Sequence, residues 1–593
     1  MQESPSRGSL YNKVARFILP FQNYPSAIKG STTYRKVAGI LNLPFAGLGS
    51  ILLGEIEVGL GLFAAYGLLG FLFVYVIQCL STGFISISGF DAFVVLAIIL
   101  FGFLSCWYGS FSKNTSDLLR LQKGKKLKGS YLVALFLTTK NNADNFFSRY
   151  REQFRISPSR VKSRMIYSWF IMGVGIMFYD HLLKGIFLLA AQILYLSYMI
   201  AVGASDLLGL FTLHQEGIAS NETMVYGTVA LAITVAFVLC YCSSMKTLVD
   251  SIELSNEGKR GPGVKGELSL VINEKFYVTG LIVPILGAIA FTVIPIFFMV
   301  LVAFTDYTKV DGAGTFPNPL ADQYLNWVGF ETFFRLFGSA QNLADMLKVF
   351  SWTMIWAILA TFTCYFGGLF LAMLLNKKSI KGKVIYRSLL VISMALPQFV
   401  SLLVMRTLFV NNGPINQLLN DWGWIEWMQN NGWISEYDSF VNFWGTPSLA
   451  KTLIILINMW VGIPYYMLLM SGLLINIPKD YYEAATIEGA NGRQTFTKIT
   501  MPYIIYMTAP ALITSFVSNI NNFNVIWFLT GNADGKADDT DILITWLYKI
   551  TMKSVPDYNF GAAIGIIMFI VSASVSLIVF HRSNSFKNEE EFR

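Results

Sequence analysis

Charged residues are scarce in this sequence. Asp, Glu, Lys and Arg together account for 13% of its 593 residues, whereas an average soluble domain contains about 25%. The deficit is concentrated in apolar runs of about twenty residues or more, the length that crosses a hydrocarbon core of roughly 30 Å. The composition therefore excludes an ordinary soluble domain and predicts an all-α, polytopic membrane protein.

Residues that could hold a metal or perform redox chemistry are also few. The five cysteines all fall within apolar segments, as small buried hydrophobic residues do, and Cys240 and Cys242 lack the CxxC spacing. The three histidines, His181, His214 and His581, are too far apart for a metal site. The acidic segment 531–541 has no EF-hand spacing, and its GNADGK is not a Walker A motif. We therefore expect this chain to catalyse no reaction and to bind neither a metal nor a nucleotide.

Basic residues lie beside the apolar runs. The net charge is +8, but Lys and Arg flank spans, where they set membrane orientation, so the charge does not indicate nucleic-acid binding. The segments 112–164, 376–387 and 581–593, which contain Lys and Arg, are predicted to be cytoplasmic, with both termini on that side. Ten spans are predicted: 58–80, 92–111, 183–203, 223–245, 279–304, 348–375, 385–409, 450–474, 503–529 and 560–581.

The first 250 residues have the pattern of a duplication. Residues 59–77 are similar to 184–201, and each stretch is followed by a second span and then a polar helix. Each is also preceded by a short apolar piece with glycines, 42–55 and 170–183, that we expect to form an interfacial hairpin. We predict an accessory transmembrane region over 1–250 with units of about 37–125 and 160–255, a charged linker over 251–278, a six-span core over 279–582 and a tail over 583–593.

A polar segment, 480–502, interrupts the core between two long apolar runs. Asp480 with Glu483 three residues later has the spacing of a helix cap, and Gly489 can end that helix in the left-handed conformation. Asn491 with Gln494 has the spacing of a second cap. The pattern predicts two short helices that project on the cytoplasmic face. On capping alone, a helical loop without a special role remains an alternative.

The same segment contains a longer motif, made of Glu483-Ala484-Ala485, Gly489-Ala490, Phe496, Ile499 and Pro502. It resembles the EAA loop of ABC-importer permeases, with Met501 in the place of the usual Leu. The resemblance extends over about 278–593 and is closer to the MalF-like branch, the larger permease subunit of maltose and maltodextrin importers. It implies a type I importer core of six helices, here preceded by the additional amino-terminal region.

The resemblance also implies roles and partners. In that family the EAA helix docks on a separate ATPase that binds ATP and Mg, so this chain would need no cofactor. The implied coupling residues are Glu483, Ala484, Ala485, Gly489 and Ala490. The implied partners are a second, MalG-like permease subunit, two cytoplasmic ATPase subunits and an extracellular solute-binding protein, at a bacterial plasma membrane.

The sequence departs from the family pattern in two places. The loop 308–327 is short where enteric members carry a folded external domain, which leaves the docking of the solute-binding protein open. That loop would fit a Gram-positive lineage, in which the binding protein is lipid-anchored. The amino-terminal region is also larger than in those members.

Polar residues inside the core spans mark a candidate sugar site. Ser515, Asn519 and Asn522 share one helical face, and amides can both donate to and accept from sugar hydroxyls. The matching positions belong to the sugar site in the MalF-like branch, and the preceding span offers Val461, Gly462 and Tyr465. Hydrogen bonding between helices is the alternative for the asparagines. Gln398 and Arg406 are further polar residues of span 385–409, which Pro397 should kink.

Three functions remain open at this point. The first is the larger permease subunit of a maltose or maltodextrin importer, and the second is a permease for another oligosaccharide or glycoside. The third is a self-contained membrane enzyme or a secondary transporter, and a secondary transporter would often carry intramembrane carboxylates for ion coupling. The core spans show none that can be placed centrally.

Overall fold

The structure, a computed structural model, is helical. It describes residues 9–124, 131–215, 218–259, 261–274, 276–307, 325–377, 380–435, 437–531, 537–553 and 556–582, and within these ranges no β-strand forms. Most of the predicted short loop 308–327 and the predicted tail 583–593 lie outside the described residues. The chain divides into two compact units: Met1–Gln215 with Thr223–Pro295, and Glu216–Glu222 with Ile296–Arg593.

The helices up to residue 302 precede the loop that lies mostly outside the described ranges. They are Ser9–Lys29, Thr33–Leu41, Leu48–Leu52, Ile56–Ser81, Gly89–Gln122, Tyr131–Ile156, Ser159–Phe170, Val174–Met177, Leu182–Tyr198, Ala204–Thr212, Ser220–Asn256, Gly263–Ser269, Phe276–Ala288 and Ile294–Val302, with π-helical turns at Met199–Gly203, Leu270–Glu274 and Ile289–Val293.

The helices after that loop form the remainder of the chain. They are Glu331–Gly338, Ala340–Asn376, Lys383–Ala395, Gln398–Leu408, Pro414–Asp421, Trp424–Asn430, Pro447–Asn476, Lys479–Ile487, Gly492–Thr495, Met501–Ile520, Phe523–Thr530, Leu543–Met552 and Tyr558–Arg582, with a π-helical turn at Phe496–Thr500.

Long apolar helices occur where the spans were predicted. Eight helical segments of the described chain are long and apolar enough to cross a membrane: Val58–Ser81, Gly89–Gln122, Leu182–Thr212, Ser220–Asn256, Gly280–Val302, Ala340–Asn376, Pro447–Asn476, Gly492–Thr530. Lys383–Ala395 and Gln398–Leu408 qualify as a pair but meet at 96°, and Tyr558–Ser574 is a shorter apolar helix. With these two, each predicted span has a helical counterpart. The bend confirms the kink expected at Pro397.

The two amino-terminal repeats contain the same tight contact between two glycines. Gly47 has φ +90°, and a Cβ there would lie 2.2 Å from the carbonyl oxygen of Gly59. In the second repeat Gly173 has φ +87°, and its Cβ would lie 2.3 Å from the carbonyl oxygen of Gly185. Only glycine combines this backbone conformation with so close an approach. In both repeats the short helix after the first glycine therefore folds back onto the following long helix rather than spanning.

Other contacts recur at the same spacing of 126 residues. The Tyr24 hydroxyl donates to the Gly39 carbonyl at 3.1 Å, and the Tyr150 hydroxyl donates to the Met165 carbonyl at 3.3 Å. The helices that begin at Thr33 and Ile56 have counterparts that begin at Ser159 and Leu182. The similarity seen in hydropathy therefore extends to specific hydrogen bonds and helix starts.

The ion pairs and hydrogen bonds of charged side chains differ between the two repeats. In the first repeat, Lys113 pairs with Glu55 and, at 2.9 Å, with Asp117. In the second, His181 Nδ1 lies 3.1 Å from Glu267 Oε1, and Glu267 also accepts from the Leu183 amide at 2.8 Å. Because Glu267 belongs to the predicted linker 251–278, that segment is attached to the second repeat by specific hydrogen bonds.

The helix Ala340–Asn376 is at the centre of the second unit. Its Trp356 is fully buried in an apolar cluster with Leu402, Ile454 and Ile526, which come from three other helices. A Cβ on Gly368 would lie 2.3 Å from the Tyr466 Cβ, so the helices Ala340–Asn376 and Pro447–Asn476 approach closely. Small residues at such contacts are the usual means by which membrane helices pack.

Candidate functional site

The predicted coupling loop forms an exposed helical projection. Its first helix is Lys479–Ile487, and none of its residues is buried. Glu483 and Ala484 are exposed and Ala485 is half-buried, while Ile487 is 87% exposed. The first helix of the projection therefore lies on the surface of the chain, with Glu483 and Ala484 accessible.

The end of this helix is closed by its own backbone. Gly489 adopts φ +75°, and its amide donates to the Thr486 carbonyl at 3.0 Å. The Ala490 amide donates to the Ala485 carbonyl at 2.9 Å. This is a left-handed helix end of the Schellman type, which satisfies carbonyls that would otherwise lack a partner. The expected role of Gly489 in ending the helix is confirmed.

The second cap forms as predicted and the first does not. The Asn491 side chain accepts from the Gln494 amide, and the Gln494 side chain accepts from the Asn491 amide, both at 2.9 Å. Asp480, by contrast, lies within the first turn of its helix, and Pro478 occupies the N-cap without a side-chain hydrogen bond. The expected cap by Asp480 and Glu483 was wrong because the helix begins earlier, at Lys479. As an acidic residue of the first turn, Asp480 still interacts favourably with the helix dipole.

The base of the projection is attached to the membrane core. The Tyr482 and Thr500 hydroxyls are hydrogen-bonded at 3.0 Å, and Thr500 is buried. Phe496 packs against the apolar cluster that includes Leu369, Met470 and Ile504. A force on the exposed helix can therefore reach the spans on either side through packed side chains.

The predicted sugar-site asparagines are joined to each other and to a neighbouring helix. Asn519 Nδ2 donates to Thr361 Oγ1 at 3.0 Å, and Asn522 Nδ2 donates to Asn519 Oδ1 at 3.2 Å. The Asn519 carbonyl accepts from Trp356 Nε1 at 3.0 Å. Asn522 also caps the helix Phe523–Thr530 by accepting from the Val525 amide. Asn519 therefore makes the interhelical hydrogen bond that the sequence left as the alternative.

The other predicted site residues lie in different surroundings. Ser515 is half-buried one turn before Asn519, and Val461 is half-buried on the helix Pro447–Asn476. Tyr465 is 48% exposed and packs edge-on against Tyr466, with ring centroids 5.3 Å apart. A Cβ on Gly462 would lie 2.7 Å from Cys364 Sγ, so Gly462 faces the helix Ala340–Asn376. Its lack of a side chain therefore serves helix packing.

Two interrupted helices meet near these asparagines. The helix Met501–Ile520 stops before Phe523–Thr530, which packs against Gln398–Leu408, the second helix of the bent pair. Asn524 Nδ2 lies 3.5 Å from Gln398 Oε1 across this contact. Unwound backbone and amides at such breaks are typical of solute sites in transporters. Gln398 was predicted only as a polar residue of its span, and its contact with Asn524 was not predicted; Pro397, which interrupts the helix before Gln398, was the available signal.

The helix Leu543–Met552 contains Lys549, the centre of an ion-pair network. Lys549 is fully buried, and its Nζ lies 2.8 Å from Asp541 and 2.6 Å from Asp538. Burial lowers the pKa of Lys549, but the two carboxylates outweigh burial, so the pKa is raised above its ordinary value. Within the described ranges, no three His, Cys, Asp or Glu side chains are grouped as a metal site.

Comparisons with known proteins give consistent matches. The family model described as "Binding-protein-dependent transport system inner membrane component" matches residues 365–585. The maltodextrin transport system permease protein MalC of Streptococcus pneumoniae is 31% identical over 430 residues, which cover 71% of this chain and 95% of that protein. The galactooligosaccharides transport system permease protein GanP of Bacillus subtilis is 31% identical over 394 residues, or 64% of this chain and 88% of that protein.

A third relative aligns over a shorter part. The maltose/maltodextrin transport system permease protein MalF of Vibrio vulnificus is 33% identical over 282 residues. The alignment covers 46% of this chain and 51% of that protein. About half of each chain therefore lies outside this alignment.

Proposed function

Because the chain belongs to the family of binding-protein-dependent transport inner membrane components, among its sugar permeases, we propose that it forms half of the path by which an ABC importer takes up maltodextrin-type oligosaccharides. It is a multi-pass protein of the plasma membrane and a permease subunit of an ABC-type sugar importer. We also propose the maltodextrin substrate, the partner subunits and the roles of individual residues.

The exposed projection at 479–500 is the observation that supports the proposal most directly. A helix without buried residues is held rigid by a Schellman-type end and a capping box, and it is attached to the core through Thr500 and Phe496. The projection would transmit motion to the spans only when a bound partner protein displaces it. We propose that this partner is a separate ATPase subunit, which would contact Glu483, Ala484, Ala485, Gly489 and Ala490.

The proposal requires other subunits. ATP and Mg would be bound by two cytoplasmic ATPase subunits, so this chain would hold no cofactor and catalyse no reaction. A second, MalG-like permease would complete the path, and an extracellular solute-binding protein would deliver the sugar. The segments 112–164, 376–387 and 581–593 would be cytoplasmic together with both termini, and the organism would be Gram-positive.

The sugar would pass the two interrupted helices. Asn519, Asn522, Ser515 and Tyr465 would offer hydrogen bonds and an aromatic face, with Val461 and Gly462 shaping the wall beside them. Amides and hydroxyls suit hydroxyl-rich solutes in general. A permease for galacto-oligosaccharides is therefore the second candidate, and the similarity to GanP favours it specifically.

Transport in proteoliposomes tests the proposal. The complete complex, with ATP enclosed and the binding protein outside, is given radiolabelled maltotriose or a labelled galactotriose. ATP-dependent uptake of maltotriose, inhibited by unlabelled maltodextrin, is the expected result. Uptake of only the galactoside would overturn the substrate assignment, and uptake of either sugar without ATP would overturn the importer mechanism.

A further inference from the structure

An open aromatic cleft lies on the second amino-terminal repeat. Its volume is about 450 Å³, and it is lined by Tyr150, Phe154, Ile166, Trp169 and Phe170. Trp169 Nε1 donates to the Tyr150 hydroxyl at 2.8 Å, and that hydroxyl donates to the Met165 carbonyl. Because both polar groups of the lining are satisfied within the protein, the cleft offers a ligand mainly apolar walls.

The cleft lies at the level where a long apolar helix becomes polar. The Tyr241 hydroxyl donates to the Trp169 carbonyl at 2.9 Å. Tyr241 follows the apolar stretch of Ser220–Asn256, and Lys246, Asp250 and Glu253 come after it. Trp and Tyr at such a transition are typical of the membrane–water boundary. A ligand in this cleft would therefore meet both hydrocarbon and headgroups.

The surroundings of the cleft are basic. Residues 149–164 contain six Lys or Arg and one Glu. Arg149 is paired with Asp250 at 2.7 Å and with Glu253, so its own charge is offset and the other five basic residues supply the positive charge near the cleft. Lys162 Nζ lies 5.8 Å from the centre of the Phe154 ring, and Arg155 and Arg160 are exposed. The charge of Lys162 thus lies beside one of the apolar walls, and Arg155 directly follows the wall residue Phe154 in the sequence.

The first repeat differs at three of the five lining positions. The positions 126 residues before Phe154, Trp169 and Phe170 are Ile28, Leu43 and Pro44. Two of the basic residues are nevertheless shared, because Lys29 and Lys36 correspond to Arg155 and Lys162 with similar exposure. Lys29 and Lys36 therefore provide a matched control for the two charges, in a repeat where the rings of Phe21, Tyr24, Trp107 and Phe111 pack against one another.

We propose that this cleft binds an anionic phospholipid, with an acyl chain along Trp169 and Phe170 and the phosphate beside Lys162 and Arg155. The aromatic walls match the acyl chain, and the basic rim matches the headgroup. A neutral lipid would gain only the first of these contacts. The site lies in the amino-terminal unit and does not depend on the transported solute.

Native mass spectrometry of the full-length chain in detergent can test this site. The chain is mixed with phosphatidylglycerol or with phosphatidylcholine of the same acyl chains, and the retained lipid is counted. We expect at least fivefold more phosphatidylglycerol than phosphatidylcholine on the unmodified chain. We expect Arg155→Gln with Lys162→Gln to abolish this preference, and Lys29→Gln with Lys36→Gln to leave it within twofold.

Variants of the apolar wall test the acyl-chain contact. Phe170 is 74% exposed and Ile166 is 47% exposed, so Phe170→Ser and Ile166→Ser should leave the fold intact. Both should lower the retention of phosphatidylglycerol several-fold. Equal retention of the two lipids, or equal loss in the two charge variants, would overturn the headgroup assignment. Unchanged retention in both wall variants would show that something other than a lipid covers the cleft.

Discussion

Lys549 Nζ lies 2.8 Å from Asp541, and both side chains are almost completely removed from solvent. The carboxylates of Asp541 and Asp538 raise the pKa of Lys549 despite its burial, so it stays charged at neutral pH. A raised lysine pKa stabilises the folded state fully below the ordinary lysine pKa, and this contribution is lost only as the pH rises through the raised value. Burial also raises the pKa of Asp541, so both groups are charged only between the raised pKa of Asp541 and the raised pKa of Lys549.

Removal of the lysine charge should destabilise this region. Lys549→Met would leave two carboxylates without their buried partner, a change that typically costs about 3–5 kcal/mol. Lys348→Met breaks the pair with the adjacent Asp539, whose side chains are 32% and 42% exposed, and should cost about 0–1 kcal/mol. Thermal unfolding of both variants in the same detergent measures the difference. Equal melting temperatures would contradict the assignment of the buried network.

The coupling helix should be sensitive at Glu483. If Glu483 is buried against a cationic group of the ATPase, Glu483→Lys should abolish transport while the permease still inserts. Glu488→Lys makes the same charge change five residues later, on a different side of the helix, and should retain most activity. ATPase activity stimulated by the loaded binding protein is the measurement. Normal stimulation in Glu483→Lys would show that the loop is not the coupling element.

Gly489 should matter for the shape of the projection. Its φ of +75° is unfavourable for other residues, and its amide donates to Thr486. Gly489→Pro removes that donor and cannot adopt this φ, so we expect loss of transport with normal insertion. Gly492→Ala is the control, because Gly492 lies within a helix and an added Cβ there meets no atom within 4 Å. Uptake per assembled complex distinguishes the two variants, and equal uptake would refute the prediction.

The asparagines of the interrupted helix allow a test of solute binding against helix packing. Asn519→Ala and Asn522→Ala should reduce transport several-fold, since the loss of one hydrogen bond costs about 0.5–1.5 kcal/mol and a stranded buried partner costs about 1–3 kcal/mol. Asn521→Ala is the control, because the Asn521 side chain is exposed and donates to the Val517 carbonyl of its own helix at 3.4 Å.

Thr361→Val separates the two roles of Asn519. It removes the acceptor of Asn519 Nδ2 from the neighbouring helix and leaves the asparagine in place. If Asn519 serves packing alone, Thr361→Val and Asn519→Ala should reduce the amount of assembled complex alike. If it binds solute, only Asn519→Ala should lower transport per complex. Normal transport per complex in both asparagine variants would place the sugar elsewhere, with Ser515 and Gln398 next to be tested.

The glycine contacts of the two repeats should control assembly rather than selectivity. Gly47→Ala and Gly173→Ala would bring a Cβ within 2.3 Å of a carbonyl oxygen at a positive φ, so we expect less assembled complex with unchanged solute preference. Gly54→Ala is the control for backbone strain alone, because Gly54 has φ +95° but an added Cβ there would meet no atom within 4 Å. Quantitative blotting and uptake on the same membranes are the measurements. A changed solute preference would place the amino-terminal region in the path.

The sequence by itself determined the class of protein and the form of the coupling loop. Spans follow from uninterrupted apolar runs, and the cap at Asn491, the helix end at Gly489 and the kink at Pro397 depend on residues a few positions apart. Local backbone geometry decides such features, so the local residues are sufficient. The misplaced cap at Asp480 shows the limit, because helix starts shift by a residue or two with the approach of the preceding chain.

Only the tertiary structure decided which distant side chains meet. The bond from Asn519 to Thr361 joins residues 158 positions apart, and the pair of Asn524 with Gln398 joins residues 126 positions apart. The aromatic cleft likewise requires two helices of the second repeat to pack together. Hydropathy indicates which helices cross the membrane but not which faces they share, because lipid tails are as apolar as the side chains they meet. Those faces are chosen by close packing and interhelical hydrogen bonds, which exist only in the folded chain.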